Sequence, residues 1–360
     1  MKKIKLFDPH VDVEEKSLKK ILKSGFWASG AGTGSVSLFE SEFNKYVGSK
    51  KCVAVNSGTA ALHLALALEN IKGKEIIIPS LSFVSTAHAI IYNGGIPVFA
   101  DIDSDTLCID PEKIKEKISN KTKAILPVHF GGMPSKLDDI LKICKQHKLK
   151  LIEDAAHAAG ASIKNKRIGT HGDSVCFSFH PVKNLAMPSG GAITLNGKDA
   201  EKNSKLLKSL RWCGISNRVG PKYDVQHLGW NYYMNEFSAE IGRIQLKKIE
   251  NMNKRRKQIA KRYWKELETQ SKMLFDDDCS YHIYWIQVKN RNQFMKKLSE
   301  NNIETGIHYK PIHQMSFYKN NQRLPITENI SKRIVSLPMH PNLTDSDVSK
   351  VIHLVNKYEK

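Results

Sequence analysis

Short apolar runs of strand length alternate with helical stretches through the first half of the chain. This alternation constrains the fold more than any other feature. The runs are KCVAV at 51–55, EIIIP at 75–79, IPVFADID at 96–103 and KAILPVHFGG at 123–132. Between them lie NSGTAALHLALAL, PEKIKEKIS and LDDILKICKQH, which have helical composition and spacing. Strand, helix, strand at this spacing predicts an α/β fold with a mainly parallel sheet wrapped by helices. At 360 residues the chain is long enough for one large and one small domain. The expected division is 1–245 and 246–360, with YHIYWIQV at 281–288 as a strand and RNQFMKKLSENNI at 291–303 as a helix of a smaller α+β domain.

Open parallel sheets bind ligands beyond the carboxyl ends of their strands. Two polar residues are predicted at such ends. In DSVCFSFHPVKNLAMPSGG at 173–191, Val175, Phe177 and Phe179 alternate as in a half-buried strand, Pro181 ends it, and Lys183 follows. Taken alone, Lys183 is either a lysine snorkelling from a turn or a partly desolvated amine able to attack a carbonyl. In LIEDAAHAAGA at 151–161, Asp154 closes another apolar run. An amine and a carboxylate so placed match one known constellation. The amine binds pyridoxal phosphate (PLP) covalently, and the acid pairs with the protonated ring nitrogen.

The chain resembles the DegT/DnrJ/EryC1/StrS sugar aminotransferases along nearly its whole length. The resemblance is carried by the Gly34-to-Glu40 stretch, NSGTAAL at 56–62, PSLSFVSTAHAI at 79–90, EDAAHA at 153–158 and SFHPVKN at 178–184. It continues through GWNYYMNE at 229–236, GIHYKPIH at 306–313 and SLPMHPNLT at 336–344. It implies the PLP-dependent fold type I, with a seven-stranded sheet, and amination of a nucleotide-linked keto sugar with glutamate as donor. It also implies a homodimer with shared active sites. Relatives with histidine in place of the lysine act as dehydratases; Lys183 argues against that chemistry. Other PLP chemistry on the same sugar class, or a non-catalytic sensor or nucleic-acid-binding protein on this fold, are the alternatives.

Residue by residue, the resemblance gives Lys183 and Asp154 the catalytic roles. Ser57, Gly58 and Thr59 open a helix; locally they are either a plain cap or a phosphate cradle, and the resemblance favours phosphate. Ser178 is a second phosphate candidate, and Asn231 matches an asparagine that reaches across a dimer interface. Phe83 is either core or a ring stacked on the cofactor. His157 is either a cofactor contact or a buried structural histidine. Trp27, His308, Tyr309 and His313 are candidate substrate contacts. His308 and His313 flank Pro311 without a carboxylate, so no metal site is expected. The chain departs from the family at Leu185–Ser189, where an acidic residue is usual, and at Tyr233, where an arginine is common. Loops around Trp27, Met187, Tyr233 and His308 are expected to set the substrate.

Hydrophobic content of 41% and charged content of 26% fit a soluble globular protein. No apolar run is long enough to span a membrane, and the start MKKIKLFDPHVD lacks a signal-peptide core, so a cytoplasmic location is expected. The six cysteines lack Cys-x-x-Cys pairs and read as reduced core residues. Net charge is +20, from 56 Lys+Arg against 36 Asp+Glu, spread along the chain. Lysine-rich compositional bias is the favoured explanation; a field of this sign would also steer diphosphates inward as a by-product. The Gly-rich 25–35 segment has no preceding strand and is read as a loop, not a dinucleotide site. Residues 237–267 are predicted as one long helix with a solvated basic face, and the stretch between 209–217 and 229–236 as irregular, mobile or partner-facing.

Overall fold

The computed structural model describes residues 3–319 and 321–359; Met1 and Lys2 of the basic start lie outside them. The helices α1 (Glu14–Ser24) and α2 (Ser35–Val47) lead into β1 (Lys51–Val55). Then α3 (Gly58–Ala67), β2 (Glu75–Pro79), α4 (Ser85–Tyr92) and β3 (Ile96–Ala100) alternate. They are followed by α5 (Pro111–Lys115), β4 (Thr122–Ile125), α6 (Leu137–His147) and β5 (Lys150–Asp154). A small hairpin, β6 (Ser162–Ile163) and β7 (Lys166–Arg167), precedes β8 (Ser174–Ser178) and β9 (Gly191–Leu195). Next come α7 (Ala200–Leu210), β10 (Ile215–Val219), β11 (Lys222–Val225) and α8 (Glu236–Glu266). The chain ends with β12 (Tyr284–Gln287), α9 (Arg291–Glu300), α10 (Pro325–Arg333), β13 (Ile334–Leu337) and α11 (Asp345–Tyr358).

Seven strands form one sheet in the order β1-β9-β8-β5-β4-β2-β3. Only β9 runs against the others, pairing antiparallel with both β1 and β8. The sheet is buried on both faces, because strand residues alternate between two apolar clusters. Cys52 and Ala54 join Val175 and Phe177 on one side; Val53 and Val55 join Cys176 on the other. The half-buried strand expected at Val175–Phe179 is therefore buried on both sides, with Ser174 and Cys176 inside. Its rings anchor the site: Phe177 meets Phe43 edge-on at 5.1 Å, and Phe179 meets Phe39 at 5.4 Å. Each buried phenylalanine contributes about 1.5–3 kcal/mol relative to exposure.

A second core gathers around β12 and β13. The expected boundary at 246 falls inside α8, which runs unbroken through it. Leu246, Ile249 and Met252 of this helix pack in the large-sheet core, whereas Ile259, Ala260 and Tyr263 pack in the small one. One helix thus links the two cores.

Two expectations change. Most of the stretch expected to be irregular belongs to the hairpin β10–β11, turned at Gly220 with a φ of 57° that favours glycine. Cys213 is exposed, unlike the other five free cysteines. Among the described residues, no helix is long and apolar enough to cross a membrane.

Candidate active site

β5 and β8 are parallel neighbours, with Asp154 opposite Cys176, so their carboxyl ends open on the same side of the sheet. Asp154 ends β5. Lys183 lies in the loop that leaves β8, and that loop is closed by Phe179 N–H to Gly190 O at 2.9 Å and Met187 N–H to Phe179 O at 2.7 Å. Asn184 ties it across the two cores, donating to Asn253 Oδ1 at 2.9 Å and Ser280 O at 2.8 Å. The two strand ends border a cavity of about 450 Å³.

Of the residues expected in the site, Ser57, Gly58, Thr59, Phe83, Asp154, His157, Ser178, Lys183, His308 and Tyr309 line this cavity. Asp154 is 4% exposed. Its Oδ2 accepts from Thr86 Oγ1 at 2.8 Å and its Oδ1 from Ala156 N–H at 3.1 Å. Burial raises its pKa, and these two donors and the Lys183 charge oppose the rise. Lys183 keeps part of its surface toward the cavity, yet protein surrounds its amine. Burial lowers its pKa to about 8 against the pull of Asp154. His157 Nδ1 accepts from Gly131 N–H at 3.2 Å, and its Nε2 lies 3.2 Å from Tyr309 Oη. Burial, then the Lys183 charge, keeps this ring neutral. His308 is held at Nδ1 by Ser336 Oγ at 2.8 Å, and burial lowers its pKa to about 4.

The first turn of α3 faces the cavity. Ser57 caps it, accepting from Ala60 N–H at 3.1 Å, and Thr59 Oγ1 lies 2.8 Å from Ser85 Oγ. Two glycines let the backbone close in. A Cβ on Gly58 would stand 2.6 Å from Ser178 Cβ, and one on Gly191 would strike the Ser57 carbonyl.

Three expected residues lie elsewhere in the chain. Trp27 packs at 6.1 Å on Phe237, its indole N–H bonded to Leu22 O. His313 is a buried brace, with Nδ1 at 2.6 Å from Ser80 Oγ and Nε2 at 3.3 Å from Glu328 Oε1. Asn231 is exposed, and its carbonyl accepts from Asn56 Nδ2 at 3.3 Å. Met187, expected to shape substrate choice, is 2% exposed and belongs to the core. It packs where Gly242 of α8 leaves room, since a Cβ there would overlap its terminal methyl. Tyr233 is not part of the cavity wall. Conversely, Phe7, Ser85, Thr86 and His180 line the cavity without having been singled out. Thr86 falls within the PSLSFVSTAHAI stretch, but Phe7 carries no local signal.

This sheet, with an amine and an acid at adjoining strand ends under a smaller α+β unit, defines the PLP-dependent transferase fold of type I. The chain belongs to the DegT/DnrJ/EryC1/StrS aminotransferase family, whose profile matches residues 10–356. It is 36% identical over 376 residues to the spore coat polysaccharide biosynthesis protein SpsC of Bacillus subtilis, covering 98% of this chain and 96% of SpsC. Its structure is similar to Helicobacter pylori PseC, an aminotransferase involved in the biosynthesis of pseudoaminic acid. There the TM-score is 0.93 at 28% identity, over 99% of each chain. It is also similar to S. venezuelae DesV, solved in complex with a ketimine intermediate, with a TM-score of 0.89 at 29% identity, covering 96% of this chain and 94% of that one.

Proposed function

We propose that the chain is a PLP-dependent transaminase that converts a nucleotide-linked keto sugar to an amino sugar, with glutamate as amino donor. The observation that carries this reading is that Lys183, Asp154 and the first turn of α3 open on one cavity. The residues fit the cofactor. A buried acid held by two neutral donors suits a cationic ring nitrogen. A helix start with hydroxyls and no Cβ at Gly58 suits a phosphate. Ser57, Gly58, Thr59 and Ser178 would hold that phosphate, and Phe83 would bound the ring plane. When bound, PLP supplies an aldehyde for the amine and a ring that accepts an electron pair from the substrate carbon.

The chain's own groups do the rest. Lys183 would anchor the cofactor and, once free, take up and return a proton at Nζ; a pKa of about 8 leaves it able to do both near neutrality. Asp154, fixed by Thr86 and Ala156, keeps a negative charge where a ring proton must stay. Neutral His157 and Tyr309 form one wall, and Phe7 and His308 another part of the rim. The relatives' roles in polysaccharide and pseudoaminic acid biosynthesis support a sugar substrate. The +20 charge suits a diphosphate-linked one. A homodimer with shared sites and a cytoplasmic location complete the reading; five buried free cysteines suit a reducing compartment.

Purified protein with PLP should show a visible band that shifts on borohydride reduction, with the adduct on Lys183. Lys183→Ala should lose the adduct, and an adduct on another lysine would defeat the assignment. Glutamate-dependent amine formation, scored by mass spectrometry on a panel of nucleotide-linked keto sugars, tests the substrates. Loss of water without amine gain would point to dehydration. A colourless protein that binds DNA with a steep salt slope would point to the non-catalytic alternative.

A further inference from the structure

His282, which the sequence did not single out, is the one hydrogen-bonding partner of the Lys183 amine among the described residues, with Nε2 3.5 Å from Nζ. The ring is 2% exposed. Its backbone N–H is bonded to Gly131 O at 2.8 Å. Phe7 stacks on it at 5.2 Å and 14°, and His157 lies against it at 4.5 Å. These contacts leave it little freedom to turn. Its Nδ1 is buried and meets no partner.

A neutral imidazole has one N–H and one bare nitrogen. Burial, then Lys183, His157, Arg256 and His308, hold this ring neutral. An N–H on Nδ1 would be a donor with nothing to donate to, the rarer and costlier kind of orphan. The proton therefore belongs on Nε2, facing the amine. An ammonium has no lone pair to receive it; a neutral amine does.

Resting on the assignment of Lys183 above, we propose that His282 is a positioning residue that donates from Nε2–H to the uncharged Lys183 amine and selects that form. It acts with burial and against Asp154, which draws the lysine toward its ammonium form. The other groups near the pair are His157 beyond β5, His180 in the lysine loop, His308 near Ser336 and Arg256 on α8.

The test uses full-length protein stripped of cofactor. Lys183 is labelled with methyl acetimidate across the pH range in which it titrates, and occupancy is read by peptide mass spectrometry. In His282→Leu the midpoint of the rate profile should rise by about one pH unit, the scale of one lost hydrogen bond to the neutral form. In His282→Gln, whose amide still donates, it should stay near that of the unmodified protein. A merely packed ring predicts an unchanged or lower midpoint in His282→Leu, and that outcome overturns the proposal. Should the leucine variant fail to fold, nitrogen NMR of the wild-type histidine rings decides: a proton on Nε2 supports the assignment, and one on Nδ1 sinks it. The two readings fail separately. A borohydride-fixed adduct on another lysine removes the function proposed above, whereas an adduct on Lys183 with no rise in midpoint removes only the role of His282.

Discussion

At Lys183, an amine is buried beside an acid it does not touch, and this has a consequence for stability. Its folded-state pKa of about 8 lies below the unfolded value. Below that pH both states hold the proton, and the folded state carries the full desolvation penalty. Between about 8 and about 10.4 the unfolded chain binds more protons, so stability rises with pH. Lys183→Met should therefore stabilise the cofactor-free protein by about 1–3 kcal/mol at neutral pH, with the gain fading toward pH ~10. Urea unfolding at both ends of that range checks this; an equal gain throughout would contradict it. Asp154→Asn should still bind PLP yet slow turnover by about 10²–10³-fold, the scale of removing one partner from a buried charge pair. Steady-state kinetics beside a PLP titration separate the two effects, and undiminished turnover would exclude the pairing. The placement of Lys183 and Asp154 at the cavity was legible because a charged residue at the end of an apolar run is unusual. The placement of Phe7 and His282 was not, because their contacts exist only where segments far apart in the chain meet. His313, a candidate substrate contact, is a polar residue of a functional stretch that braces Ser80 and Glu328.

The start of α3 binds its surroundings through an absence of side-chain atoms. Gly58 lies against Ser178 of β8, and Gly191 of β9 against the Ser57 carbonyl, so helix and strands approach backbone to backbone. Gly58→Ala should cost about 1–3 kcal/mol of stability, as overpacking does, and weaken PLP binding at the same time. Urea midpoints and absorbance titrations measure the two. A variant with both unchanged would show that the helix start can shift freely and is not a fixed cradle. The strands β1–β5 and β8 and the helices α3, α5 and α6 were readable because a buried parallel sheet needs continuous apolar runs and the helices between need propensity and caps; α2, the β6–β7 hairpin and β9 were not read. The hairpin β10–β11 was not recognised, although Gly220-Pro221 between two short β-rich segments is a turn signal. Polar, exposed strands carry no core-facing alternation to announce them. The lysine loop was readable as a loop but not as a packed one: Met187, within the stretch that departs from the family pattern, is buried against α8.

Of the three expected residues that lie outside the cavity wall, Asn231 is the one expected to act across an interface. Asn231 is exposed and takes no part in the cavity wall, while the nearby hairpin and the segment after it present Val219, Tyr223, Val225 and Leu228 to solvent, the last at 87%. In the proposed homodimer, a second copy docked on this apolar surface would bring the Asn231 of each copy to the other's cavity. This arrangement has a signature that a single-chain site lacks. In a mixed dimer, one subunit carries Lys183→Ala and the other Asn231→Ala. If the asparagine acts across the interface, the cavity with intact Lys183 receives the intact Asn231 of its neighbour, and the other cavity collects both defects. If it acts within its own chain, neither cavity is whole. Unfolding and refolding the two inactive variants together in equal amounts should then return about a quarter of wild-type turnover, since half the dimers are mixed and each has one complete site. Activity no higher than that of the separate variants would place Asn231 in its own subunit's chemistry or in none.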